Sequence, residues 1–115
     1  MRAIPLMILF LNTLFFPACQ PRHFRSEAEF ASRLAALELW QEAYDRWESI
    51  SKKHGKEVYL LNNMAVALEA LGRLEEAADL YKEALEMEPG NQQVKSNQLR
   101  LNRIINPEEL KGAGR

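Results

Sequence analysis

Apolar residues are distributed along this chain in two different ways. Between positions 3 and 16 they form a nearly continuous run, interrupted by Pro5, Asn12 and Thr13 and preceded by Arg2. Beyond position 25 they recur at helical spacing instead. Ser26-Glu27-Ala28-Glu29 has the spacing of a capping box, in which the serine hydroxyl and the glutamate three residues on satisfy each other's backbone N–H. It predicts a first helix starting at Ser26, with Phe30, Ala31, Leu34 and Leu37 on its apolar face. Trp40, Ala43, Tyr44, Trp47 and Ile50 define a second helix, with Lys52 and Lys53 at the negative end of its dipole and Gly55 as C-cap. Leu61, Met64, Ala65, Leu68 and Leu71 define a third, closed by Gly72. Leu74, Ala77, Ala78, Tyr81, Ala84 and Leu85 define a fourth, closed by Pro89-Gly90-Asn91. The fifth, from Val94 to Ile105, is more polar, is anchored by Leu101, Ile104 and Ile105, and stops before Pro107. No segment alternates with β-branched residues, so the expected fold class is all-α.

The leading run has the order of a signal peptide, a basic start followed by an apolar stretch. A comfortable bilayer span needs about 20 predominantly apolar residues, so a cleaved leader over 1–18 fits better than a permanent transmembrane helix. The remaining 97 residues can form one small, core-limited domain.

Sliding the chain against itself by 34 positions superposes two helical segments. The stretch from Leu37 to Trp47 lies over that from Leu71 to Tyr81, pairing Trp40 with Leu74, Ala43 with Ala77 and Trp47 with Tyr81. Two helices per 34 residues resembles the tetratricopeptide repeat (TPR). The unit 58–91 carries the family-like Asn63, Ala65, Gly72, Ala77, Tyr81, Ala84 and Pro89. The alanines let helices approach, the glycine turns the chain, and the proline ends the second helix. The unit 24–57 is degenerate. It keeps Ala31, Ala43 and Trp47, but has Glu38 for the turn glycine, Ile50 for a small residue and Gly55 for the proline. Segment 92–105 resembles a cap helix, with Asn97 one period after Asn63. The resemblance therefore implies a short TPR-like α-solenoid over 26–105, two helical hairpins plus a C-terminal capping helix, followed by a flexible tail over 106–115. Two units fall short of the roughly three usually needed for stability. Either the Trp40/Tyr44/Trp47 cluster supplies extra burial, or a partner or second copy covers an open end.

In such arrays the first helix of each unit lines a concave groove. The resemblance thus implies a partner-binding groove of Glu29, Ser32, Arg33, Tyr59, Asn62, Asn63, Val66, Glu69, Gln93, Asn97 and Arg100. Asparagine amides there can both donate to and accept from an extended peptide. The family's clamp for C-terminal carboxylates is not reproduced, because Ala28 and Ser32 stand at two of its places and only Asn63 agrees.

Charge and chemistry narrow the function classes. There are 15 basic and 16 acidic side chains, interspersed without blocks, which argues against nucleic-acid binding. His23 and His54 have no ligand-spaced neighbours, Glu75-Glu76 and Glu108-Glu109 are merely adjacent, and no phosphate-cradling loop or Ser/His/Asp set is visible. The sequence thus predicts no catalytic residues, no metal and no cofactor.

Cys19 is the only cysteine, so no intramolecular disulfide can form. It follows Phe16-Pro17-Ala18 and precedes Gln20-Pro21-Arg22. This resembles the lipobox of bacterial lipoproteins, whose cysteine is diacylated and becomes the new N-terminus. Ala18 fits the small residue before it, while Phe16 and Pro17 depart from the usual Leu then Ala or Ser. The alternative is plain cleavage near Ala18, leaving a free thiol in a soluble periplasmic or secreted protein. The lipobox implies lipidation at Cys19, a tether over 19–25 and a membrane anchor. Without an Asp after the cysteine, it implies the periplasmic face of the outer membrane. The resulting expectation is an envelope adaptor or assembly factor that binds a protein or peptide partner. The alternative is a self-associating scaffold of the envelope, a homo-oligomer.

Overall fold

The computed structural model describes residues 22–112. The predicted leader and Cys19 lie outside the described residues. Within them the order is α1 (Arg22–Ala36), α2 (Trp40–His54), α3 (Val58–Ala70), α4 (Leu74–Met87), α5 (Gln92–Ile105) and the single turn α6 (Glu109–Gly112), with no strand among the described residues. Each of the first five packs on its neighbours in sequence, and α3 also touches α5. The all-α, TPR-like solenoid of two hairpins plus a cap helix is the observed fold.

The helix edges depart from expectation in two places. α1 starts at Arg22, so Ser26 sits inside the helix and not at its cap, and residues 22–25 are helical where a tether was expected. At the other end, α6 forms one helical turn within the expected tail. The Asn91 cap of α5 is built as its residue type favours, with Val94 N–H donating to Asn91 Oδ1 at 3.1 Å.

α3 holds the array together. Eight of its thirteen residues are buried, because both of its long faces are covered. Leu60, Met64 and Ala67 join Ala31, Ala43, Trp47 and Ile50 in one core cluster. Val58, Leu61, Ala65 and Leu68 join Ala77, Tyr81, Ala84, Val94 and Leu101 in another. Ala31, Ala43, Ala65 and Ala77 are wholly buried, as close helix approach requires. Four predicted apolar anchors are exposed: Phe30 lies on the outer side of α1, Leu37 and Leu71 sit in turns, and Ile104 points away from the core that Leu101 occupies.

The two hairpin turns repeat each other bond for bond. In the first, Leu39 N–H reaches Leu34 O and Glu38 N–H reaches Ala35 O; in the second, Arg73 N–H reaches Leu68 O and Gly72 N–H reaches Glu69 O. This is the Schellman pattern, which needs a left-handed residue at its centre. Gly72 takes φ 76° without difficulty, and Glu38 is forced to φ 61°. The degenerate unit keeps the turn at the cost of backbone strain.

The free faces at the two ends differ from those inside. On α1, Ser26, Phe30 and Arg33 stand one period before the buried Leu60, Met64 and Ala67. All three are exposed, and the Arg46 guanidinium lies over the Phe30 ring, 5.3 Å from its centroid. On α5, Lys95, Leu99 and Asn102 stand one period after Leu61, Ala65 and Leu68, and all are exposed. Each end face thus mixes polar residues with one exposed apolar side chain, Phe30 on α1 and Leu99 on α5.

Candidate functional site

The candidate site is the face shared by α1, α3 and α5. Its expected residues divide into three groups. The first is bonded within the fold. Asn62 is only 5% exposed, and Asn97 Nδ2 donates to its Oδ1 at 2.9 Å. Glu69, whose side chain is 12% exposed, accepts from Arg100 Nη2 at 2.8 Å and from the Tyr81 hydroxyl. Arg100 Nη1 also donates to Asn97 Oδ1 at 3.3 Å. Asn62 and Glu69 were expected on the open wall of a groove, but they are consumed in joining α3 to α5. The reason is geometric: at this spacing a polar side chain on one helix finds its nearest partner on the next. Burial, then the bond to Glu69, holds the Tyr81 hydroxyl far above its ordinary pKa.

The second group lines open depressions. Tyr59, Asn62, Asn63 and Gln93 border a hollow of about 400 Å³ between the start of α3 and the α4–α5 loop, with Met87 and Val94 as its apolar part. Burial, then the neighbouring Glu57, raises the Tyr59 pKa. Ser32, Asn63 and Val66 border a smaller cleft of about 230 Å³, together with Ala35, Trp40 and Trp47. The third group, Glu29 and Arg33, is solvent-exposed and lines neither hollow.

Reasoning from the sequence did not single out Ala35, Trp40 and Trp47 as site residues; the tryptophans were expected only to fill core. Trp47 is 3% exposed, and its indole Nε1–H has no hydrogen-bond partner. A signal was available at the 34-residue period. Trp47 pairs with Tyr81, while Ala35 pairs with Glu69, so the first unit keeps a donor and lacks its acceptor.

Among the described residues no group of His, Cys, Asp and Glu is placed to hold a metal ion, and no helix is long and apolar enough to cross a membrane.

Antiparallel helix pairs repeating every 34 residues, with alternate helices lining one face, define a helical-repeat interaction scaffold. Residues 33–88 match the family model described as Tetratricopeptide repeat, and the chain is a tetratricopeptide repeat protein. No curated protein matches it. Repeats of this family generally mediate protein–protein interaction and are typically non-enzymatic.

Proposed function

We propose that this protein is a non-enzymatic adaptor or assembly factor that holds a partner's extended segment against the α1–α3–α5 face. The observation that carries this reading is the pair of open hollows on that face. The hollows offer apolar walls beside unspent amide groups, the mixture that fixes a peptide in place.

The same proposal extends to location. Cys19 after Ala18 and the apolar run supports a diacylated N-terminus in a bacterial envelope, at the periplasmic face of the outer membrane. Two acyl chains anchor stably where one binds only marginally. Helix α1 already includes Arg22, three positions after Cys19 in the sequence, so the proposed lipid would sit close to the folded array.

Two measurements test the proposal. Mass spectrometry of membrane-fraction protein should find acyl chains on Cys19 at the N-terminus; a free thiol, or a mature start elsewhere, sinks the anchor. A photo-crosslinking residue at Tyr59 should capture a discrete partner that the same residue at Lys82, exposed on α4, does not. Equal capture from both positions would refute the groove.

A further inference from the structure

A third hollow, of about 310 Å³, lies on the outer flank of the first hairpin, between the first half of α1 and the second half of α2. Ser26, Glu27, Phe30, Arg46, Ser49 and Lys53 line it. The 34-residue period shows what the same positions do inside the array. Ser26, Phe30, Arg46 and Lys53 become Leu60, Met64, Leu80 and Met87, and Ser49 becomes Glu83. Leu60 and Met64 are buried against the first hairpin, and Leu80 packs on the same cluster. At the end of the array two of these apolar positions are cations, and the acid that pairs with Lys56 in the interior is a serine. The one acid gained is Glu27, in place of Leu61. Among the described residues neither Arg46 nor Lys53 makes an ion pair. The Arg46 guanidinium is stacked on Phe30, 5.3 Å from its centroid, which fixes its plane and leaves its N–H edge available. Phe30, Arg46, Ser49 and Lys53 are all exposed, so a group entering the hollow reaches each of them.

We propose that this hollow seats the headgroup of an anionic phospholipid of the phosphatidylglycerol kind, and so turns the outer flank of the first hairpin toward the membrane. It rests on the anchor reading above for its setting, and its chemistry is tested separately from the anchor. The Arg46 fork donates two N–H groups to the phosphate oxygens, Lys53 supplies a second positive charge, and the Ser49 hydroxyl donates a further bond. Two cations against one carboxylate select an anionic headgroup over a zwitterionic one. The Glu27 carboxylate accepts from the headgroup's glycerol hydroxyls, a bond that choline, with no N–H or O–H, cannot make. Phe30 meets the apolar carbons beyond the phosphate. Arg46 and Ser49 lie one to two turns before the carbonyl end of α2, outside the reach of its negative pole. The hollow is at the small end of the roughly 300–1,000 Å³ of small-ligand sites, which suits a headgroup. Position favours a lipid as the source of the anion. Cys19 precedes Ser26 by seven positions in the sequence, so an acyl anchor there holds the bilayer beside the hollow. A tether of that length gives an effective concentration in the millimolar range, at which one weak headgroup contact is enough to orient the array.

The Arg46 Nε–H and Ser49 backbone N–H resonances report on the hollow. They are followed in the full chain with nanodiscs of phosphatidylcholine alone and with nanodiscs of rising phosphatidylglycerol content. Phosphatidylglycerol should move both signals saturably, while phosphatidylcholine discs supplemented with inorganic phosphate or with a capped Gly-Glu-Gly peptide should not reproduce the shift. Each cation near an anionic surface is worth about fivefold in binding, so K53Q should raise the half-saturating phosphatidylglycerol content about fivefold. R46Q/K53Q should flatten the Ser49 response while keeping the thermal midpoint. Should that variant fail to fold, Ser49→Glu, which restores the acid found at Glu83, must flatten the Arg46 response instead. A shift that survives R46Q/K53Q or Ser49→Glu, or one equal in both kinds of disc, overturns the site. Phosphate or the acidic peptide acting as strongly as phosphatidylglycerol overturns it in favour of a general anion site or an acidic partner. Acyl chains on Cys19 with no difference between the discs overturn it and leave the anchor standing. A phosphatidylglycerol-dependent shift with an unmodified Cys19 supports it and sinks the anchor.

Discussion

The two junctions between successive repeats use the same positions to opposite ends. In the second, Tyr81, Glu69, Arg100, Asn97 and Asn62 form a continuous hydrogen-bonded chain that fastens α5 to α3. In the first, Trp47, Ala35, Val66 and Asn63 occupy equivalent places and leave a cleft with an unpartnered donor. A repeat that has lost family residues can thus gain a surface that the better-conserved unit lacks. Departure from the pattern is informative at the level of single atoms: a missing acceptor at position 35 matters because the donor at position 47 remains.

The largest expected effect tests whether the second junction is the stabilising one. Tyr81→Ala removes a wholly buried aromatic and should cost about 3–5 kcal/mol in denaturant unfolding. A loss below about 2 kcal/mol would show that α5 is held mainly elsewhere.

A finer probe changes only the polar tips. Tyr81→Phe deletes a hydrogen bond to a carboxylate and should cost about 1.5–3 kcal/mol, while Trp47→Phe deletes a donor that has no partner and should be neutral or stabilising. If the two substitutions cost the same, the contrast between the junctions is wrong. The pair also differs at high pH. Folding raises the Tyr81 pKa above its ordinary value of 10.0, so the unfolded chain releases that proton first. Stability from this group is complete below about pH 10 and declines as pH rises toward the folded value. Tyr44 and Tyr59 are shifted the same way, so Tyr81→Phe should flatten this alkaline decline in part, and Trp47→Phe should leave it unchanged.

The turns allow a test in the opposite direction. Glu38→Gly relieves a non-glycine residue at φ 61° and should stabilise the first hairpin by about 1 kcal/mol, read as a rise in the thermal midpoint. No gain would mean that the Glu38 side chain compensates for its backbone. At the smallest scale, Lys52 pairs with Glu48 at 3.1 Å on the exposed side of α2. Lys52→Ala should therefore change stability by only about 0.3–0.5 kcal/mol. A larger loss would make the first hairpin more dependent on surface charge than the second.

Most of the fold was legible before any coordinates. Helical spacing, turn glycines and the 34-residue period define five helices and their pairing, since each follows from local geometry repeated along the chain. The start of α1 was misjudged, because the Ser26–Glu29 spacing has the pattern of a cap while the helix already includes Arg22. The site was less legible. Val66, Asn63 and Tyr59 do line hollows on the expected face, whereas Asn62 and Glu69 turn inward to partners 35 and 12 residues away along the chain.

The sequence by itself determined the repeat, the all-α class and the residues facing along α1, α3 and α5, because periodicity is a one-dimensional property. Which of those residues stay available to a partner was decided only by the tertiary structure. Availability depends on whether a donor on one helix meets an acceptor on the next. Tyr81 meets Glu69, Trp47 meets Ala35, and that single difference closes one junction and leaves the other open.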